Sequence, residues 1–212
     1  MNLTKKEKIE VLFNEFFTAK EFLISINQDT ENELDKLTKF YINRALFHCQ
    51  PFIKDSSFDY RTGIAYLDYN KILFNIDSLN FEIDRELFEP ECLVIHEISH
   101  LLLYYFSLLY NHKKITEHNL EFVIFSYCLF YRYTKTIYKV RAYDIQDEKD
   151  LDKLNIDFDK FIQFIMSIKF KNLNELYLKT VHYSNKIRQK KPKTFLDKII
   201  HSLKTFLRKP RA

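Results

Sequence analysis

The chain has 212 residues, enough for one domain with a full hydrophobic core. It holds 21 Phe and 14 Tyr but no Trp, and Gly63 is its single glycine. This disfavours a β-sandwich or a glycine-rich phosphate site, which need several glycines for turns and close backbone approach. The net charge of +4 is unevenly spread: residues 186–212 carry ten Lys/Arg and one acidic residue, Asp197, against 23 basic and 28 acidic residues elsewhere, so a mildly acidic body precedes a basic tail.

Thr4 followed by Glu7 reads as a capping box. Ile9, Leu12, Phe13, Phe16, Phe17 and Leu23 then recur at helical spacing. A second amphipathic helix is expected from about Asp29 or Thr30, carrying Leu34, Leu37, Phe40, Tyr41 and Ala45, before "FIKDSSF" breaks the pattern. Phe58 to Leu79 is rich in aromatic and β-branched residues and predicts two or three short strands. Pro90 suits a helix start, because its missing N–H has no partner in a first turn. The helix that follows runs to about Tyr110, and after the polar break "NHKKITE" a strongly apolar helix spans "HNLEFVIFSYCLFYRYTK". Beyond Asp144 a charged connector leads to helices near 157–169 and 172–187.

The run from Cys92 to Tyr110 is nearly long enough to span a bilayer, but it contains Glu97, and an ionisable group at mid-membrane is expensive. A buried central helix is the expectation. Cys49, Cys92 and Cys128 have no paired spacing and sit in apolar, helix-like contexts. With no secretory signal in "MNLTKKEKIEVLF", they fit small buried residues in a reducing cytoplasm.

Within that central helix lies His96-Glu97-Ile98-Ser99-His100, the pattern H-E-x-x-H. Residues four apart on a helix share a face, so both imidazoles can reach one zinc ion. Glu97 lies one position on, where it can act as general base on the water such an ion activates without being a ligand. Two satisfied core histidines are the plain alternative. That alternative leaves a carboxylate and two imidazoles among Leu, Val, Ile, Tyr and Phe, which is costly unless something pairs them. A catalytic zinc takes three protein ligands, and His118, Glu121 and His112 are the downstream candidates; spacing does not choose among them.

Gly63-Ile64-Ala65, Ile72 and Asn75 in "KILFNIDSL", "HEISH" and "HNLEF" together resemble the SprT-like (Spartan-related) zinc metalloproteases over roughly residues 60–130. In that family a GxA strand and an I-x-x-N-x-x-L segment precede the H-E-x-x-H helix, and a third zinc histidine follows in an HGxxF/W motif. The resemblance implies His96, His100 and His118 as zinc ligands, Glu97 as the base, and Phe122 as the motif's aromatic. Asn119 stands where the family has glycine, and no cysteine-rich ribbon follows. A gluzincin-like site with Glu121, or less readily Glu117, as third ligand is the rival within metallopeptidases. In zincins an edge strand beside the active-site helix accepts an extended peptide, a role open to the Phe58–Leu79 strands. His112, Tyr104 and Arg132 are candidates for stabilising the oxyanion.

The last segment, "TFLDKIIHSLKTFLRK", aligns Phe195, Leu196, Ile199, Ile200, Leu203, Phe206 and Leu207 in one stripe. It suits a docked terminal helix, a DNA- or RNA-binding tail, or an interfacial helix on a membrane surface. The expectation is therefore an α+β, mostly α-helical, cytoplasmic protein. Residues 1–145 form a zincin-like domain with a small β-sheet next to the H-E-x-x-H helix, and 146–212 a helical C-terminal region with a basic amphipathic tail. Its expected activity is zinc-dependent hydrolysis of peptide bonds, with proteins bound to nucleic acid as a candidate substrate class. A nucleic-acid- or membrane-binding interaction protein with a non-catalytic site is the alternative from another class.

Overall fold

The structure, a computed structural model, describes residues 3–27, 32–50, 63–75, 90–115, 118–136 and 157–189. Among these residues it is mostly helical with one small three-stranded sheet. The 145/146 boundary, the break in the helical pattern at 52–58, Glu117 and the tail from 190 onward lie outside the described residues.

Helix α1, Lys5–Ile26, starts at the expected capping box: Thr4 Oγ1 accepts from the Glu7 N–H at 3.3 Å while the Glu7 carboxylate accepts from the Thr4 N–H at 2.7 Å. Leu12, Phe16, Ala19 and Leu23 form its buried stripe. Phe13 and Phe17, expected on that face, flank it and are nearly half exposed. Helix α2, Glu33–Asn43, is capped by Asn32, whose side chain accepts from the Leu34 and Asp35 N–H groups. Its inward face carries Asp35, Thr38 and Ile42, whereas Leu37 and Phe40 face solvent, and Ala45 falls beyond the helix. The Leu37–Phe40 spacing fits a helix but marks its outer side. Lys20 on α1 reaches the end of α2, donating to the carbonyls of Asn43 and Ala45 at 3.0 and 3.1 Å. A lysine there complements the helix's negative end.

Strand β1, Leu46–Gln50, follows α2 directly and was not expected from the sequence; it also places Cys49 on a strand rather than a helix. Five residues abutting a helical pattern give too short a run for periodicity to separate. Strands β2, Gly63–Tyr66, and β3, Lys71–Asn75, fall inside the expected strand region and are joined by a 3-10 turn at Leu67–Tyr69. The sheet order is β1-β3-β2. β1 runs parallel to β3, with Leu46 opposite Lys71, and β2 runs antiparallel to it, with Gly63 opposite Phe74. Ile72, Leu73, Phe74 and Asn75 are all buried, as expected of a central strand covered on both faces.

Helix α3, Pro90–Leu109, is the centre of the core, packing on α1, α4, β2 and β3. It is the one helix among the described residues long and apolar enough to cross a membrane, yet most of it is buried inside the protein. Helix α4, Leu120–Thr134, packs along α3. Helices α5, Phe158–Ser167, and α6, Leu173–Gln189, cover α4. Phe161, Ile165, Leu173, Leu176 and Tyr177 join the same core as α3, and each such burial contributes on the order of 2 kcal/mol. Asn172 and Asn174 both donate to the buried carboxylate of Asp35, at 3.2 and 3.0 Å. These bonds tie the C-terminal helices to α2.

Candidate metal centre

Pro90 opens α3, so His96 and His100 occupy its second and third turns, one turn apart on a single face. The chain then leaves α3 through Tyr110 and Asn111, the latter with φ of 51°. His118 stands just before α4, beside His96 and His100 of α3. Asn119 is the cap of α4: its side chain accepts from the Phe122 N–H at 3.0 Å. Where the resembled family has glycine, this chain has a good capping residue, and the helix begins at Leu120, two positions later than the sequence suggests.

His118 Nε2 lies 3.0 Å from His96 Nε2 and 3.0 Å from His100 Nε2. All three candidate donor atoms fall within 4.8 Å of one another. A neutral imidazole carries one N–H and one lone pair, so three Nε2 atoms facing one point cannot satisfy one another with good hydrogen bonds. Protonation is no remedy. Burial, followed by the neighbouring His100 and His118, holds His96 well below the ordinary imidazole value. Burial and His118 lower His100 to about 3. His96 and His100 are thus held neutral, and their ring nitrogens lie in one cluster with that of His118.

Phe122, fully buried on α4, is the floor of this centre. Its ring stacks on His118 with centroids 4.5 Å apart and planes 5° apart, stacks on His100 at 4.1 Å, and meets the edge of His96 at 4.8 Å. One aromatic side chain thus restrains three imidazoles.

Glu97 is buried, with 7% of its surface exposed. A Cβ on Gly63 of β2 would meet Glu97 Oε1 at 2.7 Å and the ring of Phe74 at 3.0 Å, so the carboxylate occupies the space that the missing side chain leaves. No glycine in the described chain has positive φ, so Gly63 is needed here for room rather than for an unusual backbone.

The remaining candidates are placed elsewhere. Glu121, the rival third ligand, turns away from the histidines: both of its carboxylate oxygens are bound by Arg188, and Ser184 Oγ donates to it at 2.9 Å. Position 121 is the second residue of α4, and the capped start of that helix points it at α6. His112 Nδ1 sits 2.9 Å from the Tyr177 hydroxyl within a stack with Tyr110 and Tyr177. Arg132 lies over the Phe170 ring near the far end of α4. Of the oxyanion candidates only Tyr104 remains on the histidine face of α3, one turn past His100. Its hydroxyl donates to Asp68 at 2.5 Å and receives Lys114 Nζ at 3.4 Å. Asp68 and Lys114 escaped the sequence reading because they lie in a turn and a polar break, where nothing local marks them.

Comparison with protein-family profiles, with curated proteins and with solved structures returns no match for this chain.

Proposed function

We propose that the protein is a zinc-dependent endopeptidase of SprT-like, zincin character, with His96, His100 and His118 as metal ligands and Glu97 as general base. The observation that carries this reading is the gathering of the three Nε2 atoms of His96, His100 and His118, with a carboxylate one residue from His96. Three nitrogen donors suit zinc and leave a coordination position open, as a catalytic site needs. Bound there, zinc supplies Lewis-acid polarisation of a carbonyl and acidifies a water molecule.

The chain's own residues supply the rest. Glu97 accepts a proton from the attacking water at its carboxylate and passes it to the leaving amine nitrogen. Such a role is worth roughly 10²–10⁴-fold in rate. Its burial keeps the proton transfer away from bulk solvent. Peptide substrates are favoured because Gly63, which touches Glu97, lies on β2, and β2 is an edge of the sheet among the described residues. An extended chain added to that edge would hold its backbone beside the carboxylate whatever its side chains, which makes for loose sequence preference.

The basic run supports a polyanion as second partner. It begins at Lys186 within α6, and Arg188 is docked on Glu121 in the first turn of α4, three positions after His118. Proteins carried on DNA or RNA are therefore the proposed substrate class, and cytoplasm the proposed compartment. The interaction-protein alternative predicts no dependence on Glu97.

The test is elemental analysis with a peptidase assay on unfolded protein. About one zinc per chain in the wild type, loss of zinc in His100→Ala, and zinc retained but turnover reduced roughly 10²–10⁴-fold in Glu97→Gln are expected. A wild-type protein purified without chelator and free of metal overturns the reading.

A further inference from the structure

The chain's only glycine lies against its proposed base. Neither Gly63 nor β2 contributes a metal donor, and the backbone conformation at Gly63 is one that any residue can adopt. The space alone distinguishes it. On one side of that space lie Glu97 Oε1 and Cδ, 2.7 and 3.1 Å from where a methyl group would stand. On another lies Phe74 Cε1 at 3.0 Å, held by the β2–β3 pairing that sets Gly63 opposite Phe74.

We infer that Gly63 is a positioning residue: its bare Cα on β2 is the seat that fixes the Glu97 carboxylate between the sheet and the histidine cluster. The inference rests on the peptidase reading above and adds a residue that acts only through Glu97 and offers no donor to the metal.

Ordinary carbon–oxygen contact begins near 3.4 Å, so a methyl group at position 63 must push Oε1 away by several tenths of an ångström. The carboxylate is the far end of a side chain with three rotatable bonds, whereas Phe74 is buried in the central strand and has little room to yield. Glu97 gives way first. Proton transfer depends on heavy-atom separations near 2.6–3.2 Å, and a displacement approaching 1 Å can cost on the order of 10²-fold. The fold should therefore tolerate Gly63→Ala far better than catalysis does.

The experiment compares wild type, Gly63→Ala, Glu97→Gln and the double variant Gly63→Ala/Glu97→Gln, all full length, by zinc content, thermal midpoint and steady-state kinetics. Gly63→Ala is expected to keep wild-type zinc and a midpoint near wild type, with kcat reduced about 10–100-fold and KM changed less than threefold. The double variant should be no slower than Glu97→Gln, because the seat has nothing left to position. Gly63→Ala that binds zinc and turns over like wild type overturns the inference and leaves the peptidase reading intact; a wild type without zinc or turnover sinks that reading first. If Gly63→Ala does not fold, Gly63→Ala/Glu97→Ala decides. Recovery of folded, zinc-binding protein identifies the Glu97 contact as the cause and supports the seat. Continued misfolding places the need for glycine elsewhere and overturns it.

Discussion

Arg188, one residue before the end of α6, places its guanidinium on both oxygens of Glu121 in the first turn of α4, three positions after His118. Glu121 is nearly buried while Arg188 is about two-fifths exposed, so the acid depends on the base more than the reverse. Removing the guanidinium strands a buried carboxylate whose other side-chain partner is Ser184. After allowance for the solvent that reaches Arg188, Arg188→Ala should destabilise the protein by about 2 kcal/mol. Urea unfolding measures this directly. A change below a few tenths of a kcal/mol would show that the pair contributes nothing to the joint between α4 and α6.

The same pair predicts a response to acid. Burial by itself raises the Glu121 carboxyl, but hydrogen bonds from Arg188, its own backbone and Ser184 outweigh it and hold the group below the ordinary 4.5. The folded state therefore binds its proton less readily than the unfolded chain. Stability from this group is fully present above about pH 4.5 and is lost as pH falls through the lower folded value. Other carboxylates titrate in the same range, so the informative quantity is the difference from Glu121→Gln. The wild-type advantage should be constant from neutral pH down to about 5 and shrink below it. An advantage that grows on acidification would contradict the assignment.

Much of the site was legible because its chemistry is local in sequence. His96 and His100 are one helical turn apart, and one turn is enough to place both on a face. The central helix announced itself through an apolar run with only brief polar interruption. What could not be read depends on long-range pairing. β1 becomes a strand only because β3 lies beside it, and Glu121 faces α6 because Arg188, sixty-seven residues away, waits there. Helical spacing gave Leu37 and Phe40 the wrong side of α2, since the inward face is led by Asp35 and Thr38, which bond to α6. Gly63 was visible as part of a motif, but the carboxylate it makes room for belongs to a helix more than thirty residues on.

Phe122 allows the floor of the histidine cluster to be probed without touching a donor atom. It is fully buried and in ring contact with all three imidazoles. Phe122→Ala should cost about 3–5 kcal/mol through lost packing and the cavity left behind, which would obscure any effect on metal. Phe122→Leu keeps most of the volume and should cost about 1 kcal/mol. It removes the flat surface that orients His100 and His118, and second-sphere losses of this kind weaken metal binding by roughly tenfold or more. Competition with a chromogenic chelator measures the affinity, and thermal melting of metal-free protein measures the packing. Zinc affinity unchanged in Phe122→Leu would mean that the imidazoles are held by their backbones alone.

The tail offers a prediction about partners rather than chemistry. Eight of the ten basic residues after position 185 lie beyond Gln189, past the end of α6. If they meet nucleic acid phosphates, binding must weaken linearly in log–log form with salt, at about 0.9 per phosphate contacted on duplex and 0.7 on single strands. Engagement of most of the eight therefore gives a duplex slope of roughly −5 to −7. Replacing those eight with glutamine should flatten the slope to near −1, because Lys186 and Arg188 remain and Arg188 is already paired. Cleavage of a short uncharged peptide should be unaffected, since the replaced positions are remote in sequence from the histidines and Glu97. Cleavage of a protein bound to duplex DNA should fall with the lost affinity. Fluorescence anisotropy across a salt series reads the first result, and a paired protease assay reads the second. A slope that survives glutamine substitution would move the polyanion surface from the tail to the helical body. Equal loss on both substrates would tie the tail to the candidate metal centre itself.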